Sequence, residues 1–477
     1  MSALDRIHHI VVLMLENRSF DCLFGRLYPK SDGFDGLSGS ESNPGPDGPI
    51  TVWNSPGVDS DTMRIPDPDP GERFVEMNMQ LFGTSQVPVP PPTAPMSGFV
   101  QNYVKQSAAA ARNPRAPMHF FTPEQVPVLS RLARQFAVSD RWHASAPCQT
   151  WPNRFFVHTG TANGYENNAP PHFPYRMPTI FTRFNQLGLS DAWHIFFHDI
   201  PQALALSDLW RHLDRFRLYP EFRHHAAHGT LPSYSFIEPR YFPDVSLPND
   251  MHPPHIVTLG EQLIADVYNV LRAGPAWTET LLIITFDEHG GCYDHVPPPA
   301  AEPPGPEPTQ PFNFDRYGVR VPAVLVSPYI AQGTVLRPPA DRPFDHTSIL
   351  STVRRRFELG APLSNRESQA PDLSPALSLA DPVNLGPPRL DALPFVPSPA
   401  DVARARLEPL NGMQAALRQL AAHLPVPSEA GGLLPSIEAH ITELADAGAQ
   451  VESALDTTRG AALAFIKQQL TGLFRFL

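Results

Sequence analysis

Two runs of apolar residues constrain this chain more than any other feature. Ile10-Val11-Val12-Leu13-Met14-Leu15 leads straight into Glu16-Asn17-Arg18-Ser19-Phe20-Asp21. Leu281-Leu282-Ile283-Ile284-Thr285-Phe286 leads straight into Asp287-Glu288-His289-Gly290-Gly291. A short, unbroken apolar run is the pattern of a strand buried on both faces, and such strands belong to parallel sheets covered by helices. In open sheets of that kind, ligands bind outside the carboxyl ends of the strands. Both runs therefore deliver carboxylate and amide oxygens to the place where ligands sit. Two such strand ends side by side make a site for a hard cation. The expected chemistry is metal-assisted and acts on a phosphate.

Neighbouring residues on a strand point to opposite faces. A pair such as Asp287 and Glu288 reaches one ion only where the strand breaks, and Gly290-Gly291 supplies that break. The rest of the chain alternates strand-like and helix-like segments. Strands are expected over 7–15, 191–200, 232–237, 281–286 and 321–326, and helices over 122–138, 256–273 and 346–358. This order predicts an α/β fold, doubly wound, with a mainly parallel sheet flanked by helices.

The domain plan follows from shifts in composition. Residues 1–360 read as a catalytic domain, within which 26–115, rich in Pro, Gly, Ser and Asp, form a long insertion over the site face. Residues 361–401 are proline-rich and read as a linker. Residues 402–477 turn to Ala, Leu, Gln and Glu and read as a helical C-terminal region. There Ile437, Ile441, Leu444, Val451 and Leu455 make a seam of alternating four- and three-residue steps, with Gly448 in the missing slot. A second patch follows at Ile466, Leu470, Leu473 and Leu477. Such stripes serve packing on the parent domain, self-association or contact with a membrane surface. Deletion of 402–477 is expected to leave hydrolysis of a small soluble phosphate ester largely intact and to change oligomeric state or binding to lipid vesicles instead.

Of the 477 residues, 48 are acidic and 36 basic, a net charge of -12. That balance argues against a nucleic-acid partner, which needs a basic face. No apolar stretch is long enough for a membrane span, and Met1 to His9 lack the pattern of a cleavable secretion signal. The expectation is a cytoplasmic enzyme, or one exported without such a signal. Three cysteines, Cys22, Cys148 and Cys292, are too few for a disulfide framework and read as small apolar packing near strand ends, against a redox-sensitive role.

Thr150 stands before Trp151-Pro152-Asn153-Arg154 at a predicted helix start. Alone, it reads as an N-cap. A hydroxyl there also has backbone N–H groups aimed at a bound anion, and a nearby cation would make it a nucleophile. Asn153 and Arg154 extend that anion cradle in this reading. His198, His252, His289, His295 and His346 lie at predicted strand ends or turns, where an imidazole can protonate a leaving group.

These motifs, with Tyr293-Asp294-His295-Val296, His252-Pro253-Pro254 and Asp345-His346-Thr347-Ser348, resemble the bacterial phosphoesterase family of phospholipases C and acid phosphatases. The similarity runs from about residue 7 to 360 in the right order. It implies an alkaline-phosphatase-like fold. It also implies a divalent metal (Ca, Mg, Mn or Zn) held by Glu16, Asn17, Thr150, Asp287 and Glu288, with Thr150 as nucleophile. His198 and His252 match residues that touch the phosphoryl group or the leaving oxygen, with His194 competing for the place of His198. Gln149 departs from the pattern, since many phospholipase relatives carry Pro there. The expected activity is phospholipase C type, cleaving a phospholipid head group through a phosphothreonine. The alternatives are a phosphomonoesterase and a catalytically silent binding protein on the same scaffold.

Overall fold

β1 (His9–Leu15) is the centre of the molecule, and its apolar content explains why: from Ile10 to Leu15 every side chain is buried. The computed structural model describes residues 2–88, 91–168, 174–305, 312–339, 342–425 and 457–474. β2 (Ser42–Gly45) and β3 (Gly48–Thr51) form a separate antiparallel hairpin. The main sheet adds β4 (Ala137–Val138), β5 (Trp193–Phe197), β6 (Phe216–Leu218), β7 (Tyr234–Glu238), β8 (Thr280–Phe286), β9 (Ala323–Val326) and β10 (Thr334–Val335). Their order is β10-β4-β9-β8-β1-β7-β5-β6. All neighbours are parallel except at β9, which runs against both β4 and β8. The sheet is thus mixed, mostly parallel and flanked by helices, as the alternation predicts.

The expected elements shift mainly at their ends. The helix read over 122–138 spans Pro127–Gln135, because Pro127 takes its first turn and Ala137-Val138 leave it to become β4. Pro at a helix start loses nothing, as its missing N–H would be unpaired there. The long insertion carries the hairpin, the helices Phe74–Phe82 and Phe99–Tyr103, and much of a small core around Leu37, Leu81 and Val100 that Tyr293 and Val319 complete.

Two expectations about the C-terminal part change. The 361–401 stretch is not a free tether: Leu373, Ala376, Leu377 and Leu390 are buried in the main core, and Asn384 donates to the carbonyls of Gln135 and Ile330. Prolines here stiffen a strap laid on the body, which composition cannot distinguish from a linker. The helices Gly412–Ala422 and Arg459–Phe474 bury Met413, Leu417, Leu420, Leu463 and Ile466 in that same core. The seam from Ile437 to Leu455 and the last position of the second patch, Leu477, lie outside the described residues. The three cysteines are free and buried. Among the described residues, no helix is long and apolar enough to cross a membrane.

Candidate active site

The register of β1 on β8 builds the site. Leu15 lies opposite Phe286, so the two chains leave the sheet side by side at Glu16 and Asp287. The Asp287 N–H donates to the Leu15 carbonyl at 3.1 Å, and the Glu16 N–H to the Asp250 carbonyl at 2.8 Å. Asn17 then takes left-handed backbone at φ 55°. This turn brings its N–H to Asp287 Oδ1 at 2.9 Å, and the Glu288 N–H reaches the same oxygen at 2.7 Å. Gly290 is left-handed as well, and a Cβ on it would stand 2.3 Å from the Asn17 carbonyl oxygen. Only glycine fits there, and its N–H donates to Glu288 Oε2 at 2.7 Å.

Each carboxylate is therefore gripped by one oxygen and bare at the other. Asp287 Oδ2, Glu288 Oε1 and Asn17 Oδ1 are buried with no hydrogen-bond partner. The Asn17 amide is oriented by its Nδ2, which donates to Glu72 Oε1 at 2.6 Å. Burial, together with the charge of Glu16, lifts the Asp287 carboxyl well above its usual range; burial and Glu72 do the same to Glu288. Bare, buried carboxylate oxygens cost several kcal/mol each unless a positive charge answers them. The set is all oxygen, so it fits a hard divalent cation.

Thr150 is the first residue of the buried helix Thr150–Thr159, with Gln149, not Thr150, in the capping position. Its Oγ1 donates to Glu16 Oε2 at 3.3 Å. The other Glu16 oxygen, Oε1, accepts from Arg154 Nε at 3.0 Å, from Arg154 Nη2, and from Gln202 Nε2 at 2.8 Å. Arg154 also donates to the Met14 carbonyl, so two of its nitrogens hold Glu16 and the backbone in place, while its Nη1 is buried without a hydrogen-bond partner. Asn153 turns away from the anion cradle. Its Oδ1 accepts from the Ala146 N–H at 3.0 Å and its Nδ2 donates to the Cys148 carbonyl at 2.7 Å. Asn153 thus shapes the loop that presents Thr150.

His252 does reach the site. Its Nδ1 contacts the Pro253 carbonyl at 2.6 Å and its Nε2 lies 3.2 Å from Glu72 Oε1. Burial pulls this imidazole down, and the carboxylates of Asp69 and Glu72 outweigh it, so His252 is held well above its usual range. Asp69, Glu72 and His252 offer atoms within 4.8 Å of one another, a second group able to hold a cation. His198 stands apart from the cluster. Its Nδ1 contacts the Glu238 carbonyl at 3.0 Å and its ring stacks on Tyr219 at 4.3 Å. His194 packs with Phe196 and His225 instead. A strand-end position does not say which way a side chain leaves the sheet, and these contacts of His198 and His194 include none of Glu16, Asn17, Thr150, Asp287 and Glu288. His346 supports from behind, its Nε2 contacting the Asp287 carbonyl at 2.6 Å.

The profile of the Phosphoesterase family matches residues 7–360. The chain belongs to the phosphoesterase family. Over 417 residues it is 38% identical to non-specific phospholipase C3 of Arabidopsis thaliana, covering 82% of this chain and 77% of that one. It is 41% identical to non-specific phospholipase C1 of the same plant over 371 residues, covering 74% and 67%. It is 30% identical to phospholipase C A of Mycobacterium tuberculosis over 455 residues, covering 83% and 82%. This phosphoesterase is thus a phosphoric ester hydrolase, and its acidic and histidine groups are of the kind that hold a divalent metal.

Sequence reasoning missed Asp69, Glu72, Gln202 and Glu238. Asp69 and Glu72 lie in the proline-rich insertion, where no periodicity marks a residue as buried. Glu238 had a signal, for it is the last residue of β7 just as Glu16 is the first after β1. Its carboxylate accepts from the backbone of Gln202 and Ala203 at 2.8 and 3.1 Å and thereby seats the loop that carries Gln202 to Glu16.

Proposed function

We propose that this phosphoesterase cleaves the phosphodiester of a phospholipid on the diacylglycerol side, as a phospholipase C, with Thr150 as nucleophile. The single observation that carries the reading is the convergence of three bare buried oxygens, from Asn17, Asp287 and Glu288, beside a Thr150 hydroxyl bonded to Glu16. The names of the relatives support a phosphodiester over a phosphomonoester. A divalent cation held by Glu16, Asn17, Asp287 and Glu288 would supply charge neutralisation of the phosphate and a lower pKa for the Thr150 hydroxyl.

The chain's own residues divide the remaining work. Arg154 and Gln202 fix Glu16, so that its free oxygen faces Thr150. Thr150 Oγ1 gives its proton to Glu16 Oε2 and attacks phosphorus in line, the bond to the diacylglycerol oxygen breaks, and a phosphothreonine bearing the head group remains. The positive end of the buried helix that Thr150 begins favours this anion. His252, kept protonated between Asp69 and Glu72, gives the departing oxygen its proton. Water then attacks phosphorus and gives a proton back to His252, the bond from phosphorus to Thr150 Oγ1 breaks, Thr150 takes its proton back from Glu16, and the phospho-head-group leaves.

Thr150→Val keeps the shape of the side chain and removes only the hydroxyl. Turnover of a phospholipid and of p-nitrophenyl phosphate is expected to fall by about a thousandfold or more with an unchanged melting temperature. A variant within about tenfold of the parent would remove Thr150 from its role.

A further inference from the structure

The cysteines take no part in the chemistry above, and the fold sorts them into a pair and a single. Cys22 lies in the short helix Phe20–Phe24, just after the turn of Glu16 and Asn17. Cys292 directly follows Gly290-Gly291, just after the turn of Asp287 and Glu288. The two segments are laced together. Ser19 Oγ donates to the Tyr293 carbonyl at 2.6 Å and accepts from the Cys22 N–H at 3.1 Å. The Asp21 N–H donates to Asp294 Oδ2 at 3.2 Å, and the His295 N–H to Asp21 Oδ2 at 2.8 Å. This lacing brings the thiols of Cys22 and Cys292 into a side-chain hydrogen bond within the main core. Cys148 packs elsewhere, in a small cluster with Phe156 and Phe314.

The pair does not sit in plain apolar packing. The Arg18 guanidinium is fixed by the carbonyls of Met251 at 2.8 Å and Ile65 at 2.6 Å, and its Nη1 stands 3.9 Å from Cys22 Sγ. Arg18 has no ion pair among the described residues, so its charge is available to a thiolate. Burial pushes the Cys22 thiol up, and the Cys292 thiol together with Arg18 outweighs it, holding Cys22 below its usual range. Burial pushes the Cys292 thiol well above that range. A thiol ready to ionise beside one that keeps its proton is the asymmetry of an attacking and a resolving cysteine. Both residues are only 1% exposed, which shuts out bulky reagents. Hydrogen peroxide, little larger than water, meets that limit.

We propose that Cys22 and Cys292 form a redox-active dithiol, which hydrogen peroxide closes to a disulfide that clasps the turn after β1 to the turn after β8. The Cys22 sulfur takes one oxygen of peroxide, the O–O bond breaks, and a sulfenic acid and water result. The Cys292 sulfur then attacks the Cys22 sulfur, the S–S bond forms, and the S–O bond breaks. The departing hydroxide leaves as a second water with the Cys292 proton. Two electrons pass from the two thiols to peroxide. The bond closes a loop of more than half the chain, which removes freedom from the unfolded state. It braces the turns that carry Glu16, Asn17, Asp287 and Glu288, whichever ester is cleaved there.

The test is thiol mapping on the full-length protein, first reduced and then treated with hydrogen peroxide. Samples are unfolded with a thiol-blocking reagent, and their peptides are read by mass spectrometry. The reduced protein is expected to show Cys22, Cys148 and Cys292 all blocked as free thiols. After peroxide, only Cys148 is expected to be blocked, with one peptide pair joined through Cys22 and Cys292. The oxidised protein is expected to melt about 5 °C higher than the same sample after dithiothreitol. Cys292→Ala is expected to stop at the sulfenic acid of Cys22, which dimedone traps. A map without the Cys22–Cys292 pair overturns the proposal, whether the thiols stay free, pair through Cys148 or pair between chains. So does a melting temperature that dithiothreitol does not lower. The map of the parent decides alone if Cys292→Ala does not fold.

Discussion

At the scale of single residues, the site works by dividing each carboxylate. One oxygen of Asp287 takes two backbone N–H groups, one of Glu288 takes the Gly290 N–H, and one of Glu16 takes Arg154 and Gln202. The opposite oxygens face inward, fixed in direction by those bonds. Asp287→Asn keeps the size of the side chain and removes its charge. Both the metal content of the purified protein and its turnover are expected to fall together, turnover by about a hundredfold. Elemental analysis beside an activity assay checks this, and an inactive variant with full metal content would mean that Asp287 acts in another way. Glu16, Asn17, Asp287 and Glu288 were legible because apolar runs point at them. Arg154 was legible as a residue of the site and illegible in its direction. A sequence cannot show that Glu16 already occupies the Nε and Nη2 of its guanidinium and leaves Nη1 without a partner.

At the scale of elements, the strands that the sheet buries on both faces were readable, since burial leaves an unbroken apolar run. The loops behind them were not, because their order comes from long-range ion pairs. Arg320 donates to Asp294 at 2.9 Å and to Asp21 at 3.0 Å. His295 bridges Asp21 Oδ2 at 2.7 Å and Asp35 Oδ1 at 3.1 Å. This network ties the segment after β1 to the segment after β8, and so braces the turns that carry Glu16 and Asp287 from outside. Burial pulls the His295 imidazole down, and its hydrogen bonds to Asp21 and Asp35 more than reverse that, holding it up at about 9. Lys30, with Nζ 2.8 Å from Nε2, opposes them in part. An imidazole raised from an ordinary value near 6.5 stabilises the fold fully below that pH and loses its contribution as pH rises through about 9. The urea midpoint is therefore expected to drop between pH 6.5 and about 9, and His295→Gln to start lower and lose that drop. Parent and variant profiles that run parallel would show that His295 does not carry it.

At the scale of the whole molecule, composition suggested a catalytic body, a tether and a detachable helical end, and packing decides otherwise. The last described helix lays Phe474 on Phe197 with ring centres 5.8 Å apart. Gln414 donates to the Tyr241 carbonyl at 2.8 Å, and Lys467 pairs with Asp244 at 2.7 Å. Met413, Leu417, Leu420, Leu463 and Ile466 are all buried in the main core. A fully buried side chain of this size stabilises by roughly 1.5–3 kcal/mol, so together they contribute on the order of 10 kcal/mol. Net stabilities of domains are only about 5–15 kcal/mol. Surface ion pairs such as that of Lys467, worth at most about 1 kcal/mol, do not decide the matter. A chain ending near residue 400 would leave this apolar face on water. It is expected to be insoluble, or to melt more than about 10 °C below the full chain, and to lose turnover even of p-nitrophenyl phosphate at that lower temperature. Calorimetry and sedimentation of the two forms side by side check it. A soluble, monomeric truncation that melts with the parent would restore the picture of a separable module, because it would mean that the body buries the face of β5 by itself.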